Sequence, residues 1–97
     1  AVLIVLLGNK DKMTVPDKWQ QDMGACTQNM LLQIVKEGLG GVWLGVHPTQ
    51  ERIDSLKDIF GLPDNIMPFA VVCFGYSNKK NTFTDRYKEA AVHWDKY

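Results

Sequence analysis

Residues 36–48 read Lys-Glu-Gly-Leu-Gly-Gly-Val-Trp-Leu-Gly-Val-His-Pro, placing Gly38, Gly40, Gly41 and Gly45 around Trp43 and Leu44. Glycines at this density do one of two things: they end a helix and turn the chain, or they let a ligand come close to bare backbone. In the second case the chemistry on offer is that of unpaired backbone amides beside apolar walls. A helix stop with tight packing accounts for Gly38 but leaves Gly45 unexplained, since a glycine inside a short strand marks close approach by a ligand or another backbone. Both readings stand at this point.

Other chemistries find little support. A dinucleotide fingerprint needs its glycines between a strand and the helix that the strand feeds; here the glycines follow a helix, and Trp43 stands where the third glycine belongs. His47 and His93 have no cysteine or carboxylate at ligand spacing, so no metal site is expected. Lys and Arg number 11, as do Asp and Glu, so the chain lacks the basic excess of a nucleic-acid or anionic-membrane binder. Cys26 and Cys73 sit in apolar surroundings without a CxxC pairing, the pattern of reduced core thiols in a cytoplasmic protein.

The elements that must carry the glycine stretch are legible. Residues 2–7, Val-Leu-Ile-Val-Leu-Leu, form a continuous apolar run expected to be a central strand covered on both faces. The run is too short to span a bilayer and lacks the features of a signal peptide. Trp19, Met23, Cys26, Met30 and Ile34 recur at spacings of three and four, predicting an amphipathic helix from Lys18 to Glu37, with Leu31 and Val35 widening its apolar face. Gly38 falls at its C-terminal stop, and Val42-Trp43-Leu44 make a brief strand. Thr49 opens a second helix with Ile53, Leu56, Ile59 and Phe60 as its buried face, and Gly61 ends it. Residues 69–75 form another buried strand. A polar stretch, 76–84, leads to a tail whose Trp94 and Tyr97 have no core of their own. Asn29, in mid-helix, is expected to bond neighbouring backbone or cross a helix interface, and Asp22 and Glu37 read as helix-surface and helix-end charges. The alternation of strands and helices is that of an α/β or α+β domain.

In order along the chain, Trp19 with Asp22, Gln28-Asn29-Met30-Leu31-Leu32, Gly38 to Gly45, Phe60-Gly61-Leu62-Pro63, Gly75-Tyr76, Asp85-Arg86-Tyr87 and Val92-His93-Trp94 resemble the landmarks of the FMN-dependent nitroreductase family. The resemblance implies an α+β fold, with residues 1–97 as the C-terminal part of a single nitroreductase-like domain. The family's N-terminal Arg-Ser-x-Arg-like motif is absent from these residues, and Ser77 stands where the family often has proline. Also implied are a homodimer with FMN at the subunit interface, and hydride transfer from NAD(P)H through FMN to a nitroaromatic, quinone or similar acceptor. The alternative is a non-catalytic flavin-binding or dimer-assembly relative.

By resemblance, the segment Trp43-Leu44-Gly45-Val46 lies along the flavin, with Gly45 and Val46 as amide donors and Leu44 as wall. Trp43 is either wall or ordinary core. Arg86 matches a basic position that reaches the FMN phosphate, its alternative being a surface arginine, and Lys79 and Lys80 read first as a solvated pair. No residue is assigned a general acid or base role, because the cofactor carries the hydride chemistry. His47, next to the flavin segment, is either a border of the substrate site or a loop histidine. The tail, residues 88–97, is expected to pack on the partner subunit.

Overall fold

A computed structural model describes residues 1–80 and 82–97, so Asn81 of the polar stretch lies outside the described residues. Three strands, β1 (Val2–Asn9), β2 (Gly40–Gly45) and β3 (Ile66–Gly75), form one antiparallel sheet in the order β1-β3-β2. Because β1 and β2 each run antiparallel to β3, they are parallel to one another. The chain between them contains helix α1 (Trp19–Lys36), so β1-α1-β2 is a βαβ unit split by the later insertion of β3. Helix α2 (Gln50–Phe60) connects β2 to β3.

The middle of the sheet is therefore β3, and β1 is an edge strand of the described sheet, not the central strand expected from its apolar run. Val2, Leu3 and Leu7 are exposed. An unbroken apolar run specifies that both faces suit burial, but the described residues cover only one of them. On β3 the side chains of Pro68, Ala70 and Val72 alternate into the core, as the two-residue period of a strand requires. With Leu6 and Ile34, Ala70 and Val72 form the buried cluster, and Met23, Met30, Leu31 and Leu39 of the α1 region pack on it.

Helix α1 presents Met23, Thr27, Met30 and Ile34 inward. Thr27, at 0% exposure, holds its hydroxyl on the Met23 carbonyl at 2.7 Å. Its inward line runs through position 27, not 26, and one residue turns about 100° round a helix of 3.6 residues per turn. Cys26 is consequently exposed, correcting the core-thiol expectation, while Cys73 is half-buried. Asn29 is likewise exposed.

The end of α1 is a Schellman motif: Leu39 N–H bonds Ile34 O and Gly38 N–H bonds Val35 O, both at 3.0 Å, with Gly38 at φ 74°. Gly41 is needed for a different reason, since a Cβ there would stand 3.1 Å from Ile34 Cγ2. These two glycines are what bring β2 straight off α1 and back against it. On α2, Ile53 is buried, but Ile59 and Phe60 are exposed, Ile59 by 70%. Only the first turns of this helix meet the sheet, so the apolar stripe read over its whole length is covered at one end.

Candidate functional site

The last residues of β2 are built by an irregularity in β3. The register of β1 on β3 slips between Leu6, opposite Ala70, and Leu7, opposite Pro68, leaving Phe69 as the extra residue of a β-bulge. The Phe69 carbonyl then accepts two amides from the chain leaving β2, Val46 N–H at 3.2 Å and His47 N–H at 2.9 Å. Phe69 also gathers the aromatic side chains. Trp43 lies 5.9 Å and Trp19 5.8 Å from its ring centre, His47 stacks on it at 6.5 Å, and Trp19 meets His47 edge-on at 4.9 Å. Such offset and edge-to-face pairs hold a loop more firmly than area burial alone.

Antiparallel strands direct alternate amides toward and away from the neighbour. With Val46 N–H turned to β3, this alternation sends the Gly45 and Trp43 amides to the outer edge of β2, which has no partner strand among the described residues. The Gly45 carbonyl faces the same way and accepts Arg52 Nη1 at 2.8 Å. A Cβ placed on Gly45 would meet no atom within 4 Å, unlike one on Gly40 or Gly41, each blocked by neighbouring side chains. Nothing in these residues therefore requires glycine at position 45. The open space beside it, next to an outward amide, suits a flat ring such as the isoalloxazine of FMN.

Trp43, Leu44, Gly45 and Val46 are thus brought to one place, but not to one role. Strand alternation separates Trp43 and Leu44 to opposite faces. Trp43 turns toward α1, where a Cβ on Gly24 would lie 3.8 Å from its ring, and is 37% exposed, while Leu44 is 48% exposed on the other face. Val46 is buried and its amide is held by Phe69, so it has no outward N–H to donate, which corrects the donor role assigned to it. Arg86 is not joined to these residues. It is exposed in the irregular segment after β3 and makes no hydrogen bond among the described residues; the bond from Tyr87 N–H to Asp85 Oδ1, at 2.9 Å, is local. Lys79 and Lys80 lie with Ser77 beside Gly38 and Gly40, at the far end of β2 from Gly45. His47 belongs to the aromatic cluster and not to an isolated loop. Among the described residues no group of His, Cys, Asp or Glu is arranged to hold a metal ion.

Sequence reasoning missed Thr27, Phe69 and Arg52. Phe69 had one visible signal, since Pro68 inside a strand pattern points to a bulge or an edge. Arg52 had none, because its partner is a backbone carbonyl seven residues away.

A split βαβ sheet packed on α1, with α2 joining β2 to β3 and an open, glycine-lined strand edge, defines an α+β domain that can lay backbone donors against a ring-shaped ligand. The family model described as "Nitroreductase family" matches residues 1–76, and the chain belongs to that family. A relative from Archaeoglobus fulgidus, named "Putative NADH dehydrogenase/NAD(P)H nitroreductase", is 37% identical over 100% of this chain and 58% of its own length. The crystal structure of a "Putative NADH Oxidase" from Clostridium acetobutylicum is 44% identical and superposes with a TM-score of 0.95 over 98% of this chain and 58% of that one. A structure from Desulfovibrio desulfuricans described as a "putative nitroreductase in complex with fmn" is 25% identical, with a TM-score of 0.75 over 98% of this chain and 55% of its own. The chain spans about half the length of the curated relatives it matches, 58% and 50%. No helix in the described residues is long and apolar enough to cross a membrane.

Proposed function

We propose that the protein to which this chain belongs is an FMN-dependent oxidoreductase taking hydride from NAD(P)H and delivering it to a nitroaromatic, quinone or similar small acceptor. What carries the reading is Gly45: an outward amide at an unpartnered strand edge, with open space where a side chain would stand. The FMN-bound relative and the nitroreductase names support it. FMN, when bound, supplies the hydride chemistry at its ring. The residues of this chain contribute placement. The Gly45 amide is the donor to the ring edge, Leu44 is the apolar wall on the open face, and the aromatic cluster of Trp19, Trp43, His47 and Phe69 stiffens the turn that follows. In this reading Trp43 serves more as support than as wall, and Val46 acts through its buried side chain. Fixed donors of this kind need no reorganisation as charge develops.

The same reading includes a homodimer. Residues 76–97 carry Tyr76, Phe83, Tyr87, Trp94 and Tyr97 exposed, Trp94 by 84%, and the hydrogen bonds of the tail among the described residues are local. Aromatic groups so placed suit burial on a second subunit. In this arrangement Arg86 reaches the FMN phosphate held by the partner's site.

The test is the visible absorption spectrum of the purified full-length protein before and after anaerobic addition of NADH or NADPH. An oxidised-flavin band that bleaches on addition is the expected result. A colourless protein that also fails to take up added FMN would return the glycine stretch to a purely structural role.

A further inference from the structure

We infer that Arg52 is a positioning residue for the cofactor edge: it anchors the end of β2 through the Gly45 carbonyl and places a fixed positive charge beside the Gly45 amide. The inference rests on the flavin reading above and assigns a role to a residue outside the glycine stretch.

Three observations carry it. Arg52 lies in the first turn of α2, on an element different from the strand it contacts, and its Nη1 donates to Gly45 O at 2.8 Å. That carbonyl belongs to the outer edge of β2, the same side as the Gly45 amide, because the N–H and C=O of one extended residue project in the same direction. The guanidinium therefore stands within one residue's length of the donor that would meet the ring. Finally, the guanidinium has five N–H donors, and Arg52 is exposed with a side chain that makes no other hydrogen bond among the described residues. Its charge is not neutralised by an ion pair there.

Two consequences follow. The strand end is held by a bond to its outward carbonyl as well as by the Phe69 carbonyl on its inward side, so the Gly45 amide is gripped from both edges. Electrostatics supply the second. Hydride transfer adds one hydrogen and two electrons to the ring, releases the oxidised nicotinamide, and leaves the ring with one more negative charge. A cation at the same edge favours that state over the oxidised one, so Arg52 raises the reduction potential of the bound cofactor.

The experiment compares Arg52→Gln and Arg52→Lys with the unmodified full-length protein. It measures the FMN dissociation constant, the midpoint potential of the bound flavin, and the thermal stability of the cofactor-free protein. For Arg52→Gln the expected result is an FMN dissociation constant raised about fivefold, the size of losing one exposed charged contact. The midpoint potential should move to a more negative value while the Tm of the cofactor-free protein falls only slightly, as the loss of one exposed hydrogen bond entails. Arg52→Lys keeps the charge without the planar fork and should restore most of the potential. A Gln variant with unaltered potential, or a Lys variant shifted as far as Gln, overturns the proposal. So does a loss of cofactor-free stability with no change in potential, which would make the bond merely a strand clamp. If the unmodified protein binds no FMN, the flavin reading itself fails. Binding with an indifferent Arg52 sinks this inference alone.

Discussion

A valine in place of Gly45 separates the two uses of a glycine. Since a Cβ there would meet nothing within 4 Å, and β-branched residues suit strands, Gly45→Val should leave the Tm of the cofactor-free protein unchanged or slightly raised. If the open space serves the ring of a bound flavin, the same substitution should weaken FMN binding at least tenfold, or about 1.4 kcal/mol. Fluorescence titration of FMN against the variant checks this, and unchanged affinity would remove Gly45 from the site. At this scale the glycine pattern marked several positions without distinguishing what each one does. Gly38 answers to a positive φ, Gly41 to the methyl groups of Ile34, and Gly45 to nothing within the described chain. Sequence shows all of them as the same missing side chain. Val46 illustrates the converse. The resemblance implied that its amide is a donor, but the direction of an amide is set by its place in a ladder, and here the ladder gives it to Phe69.

Helices α1 and α2 and strands β1 and β3 were legible because hydrophobic spacing and stop signals repeat within each segment. β2 runs from Gly40 to Gly45, longer than its apolar centre suggested, because the pairing with β3 extends over residues chosen for packing and not for β-propensity. The α1–β2 contact gives a direct test. Gly41→Val would push a branched side chain into Ile34 and Leu31, whose atoms lie 3.1–3.4 Å from the added Cβ. Overpacking of this kind typically costs about 1–3 kcal/mol, so chemical denaturation should show a lower midpoint at unchanged slope. A variant as stable as the parent would mean that β2 is not seated on α1 as described. The misplaced boundary between buried and exposed on α1 is equally local in origin. Spacings of three and four allow either Cys26 or Thr27 to face inward, and Thr27 can do so because its hydroxyl finds the Met23 carbonyl. A threonine able to satisfy its own polar group behaves as a core residue, which hydropathy does not register.

At the scale of the molecule, the Cα radius of gyration is 16.8 Å, against about 12.5 Å for a compact chain of this length. The excess comes with an exposed, aromatic-bearing tail and a sheet whose β1 edge displays Val2 and Leu3. If the tail clasps a second subunit, deleting residues 88–97 should shift the full-length protein from dimer toward monomer in sedimentation, and an unchanged dimer would refute that role. The linear order of residues was enough for the positions of the helices, the helix stop at Gly38 and the family, because each depends on neighbours within a few turns or on motifs in series. Only the tertiary structure put β3 between β1 and β2, turned Cys26 outward, used the Phe69 bulge to collect Val46 and His47, and set Arg52 on Gly45. Those outcomes depend on which groups meet across long separations in sequence. Hydrogen-bond direction and the covering of a face are properties of pairs of elements, and no single segment carries them.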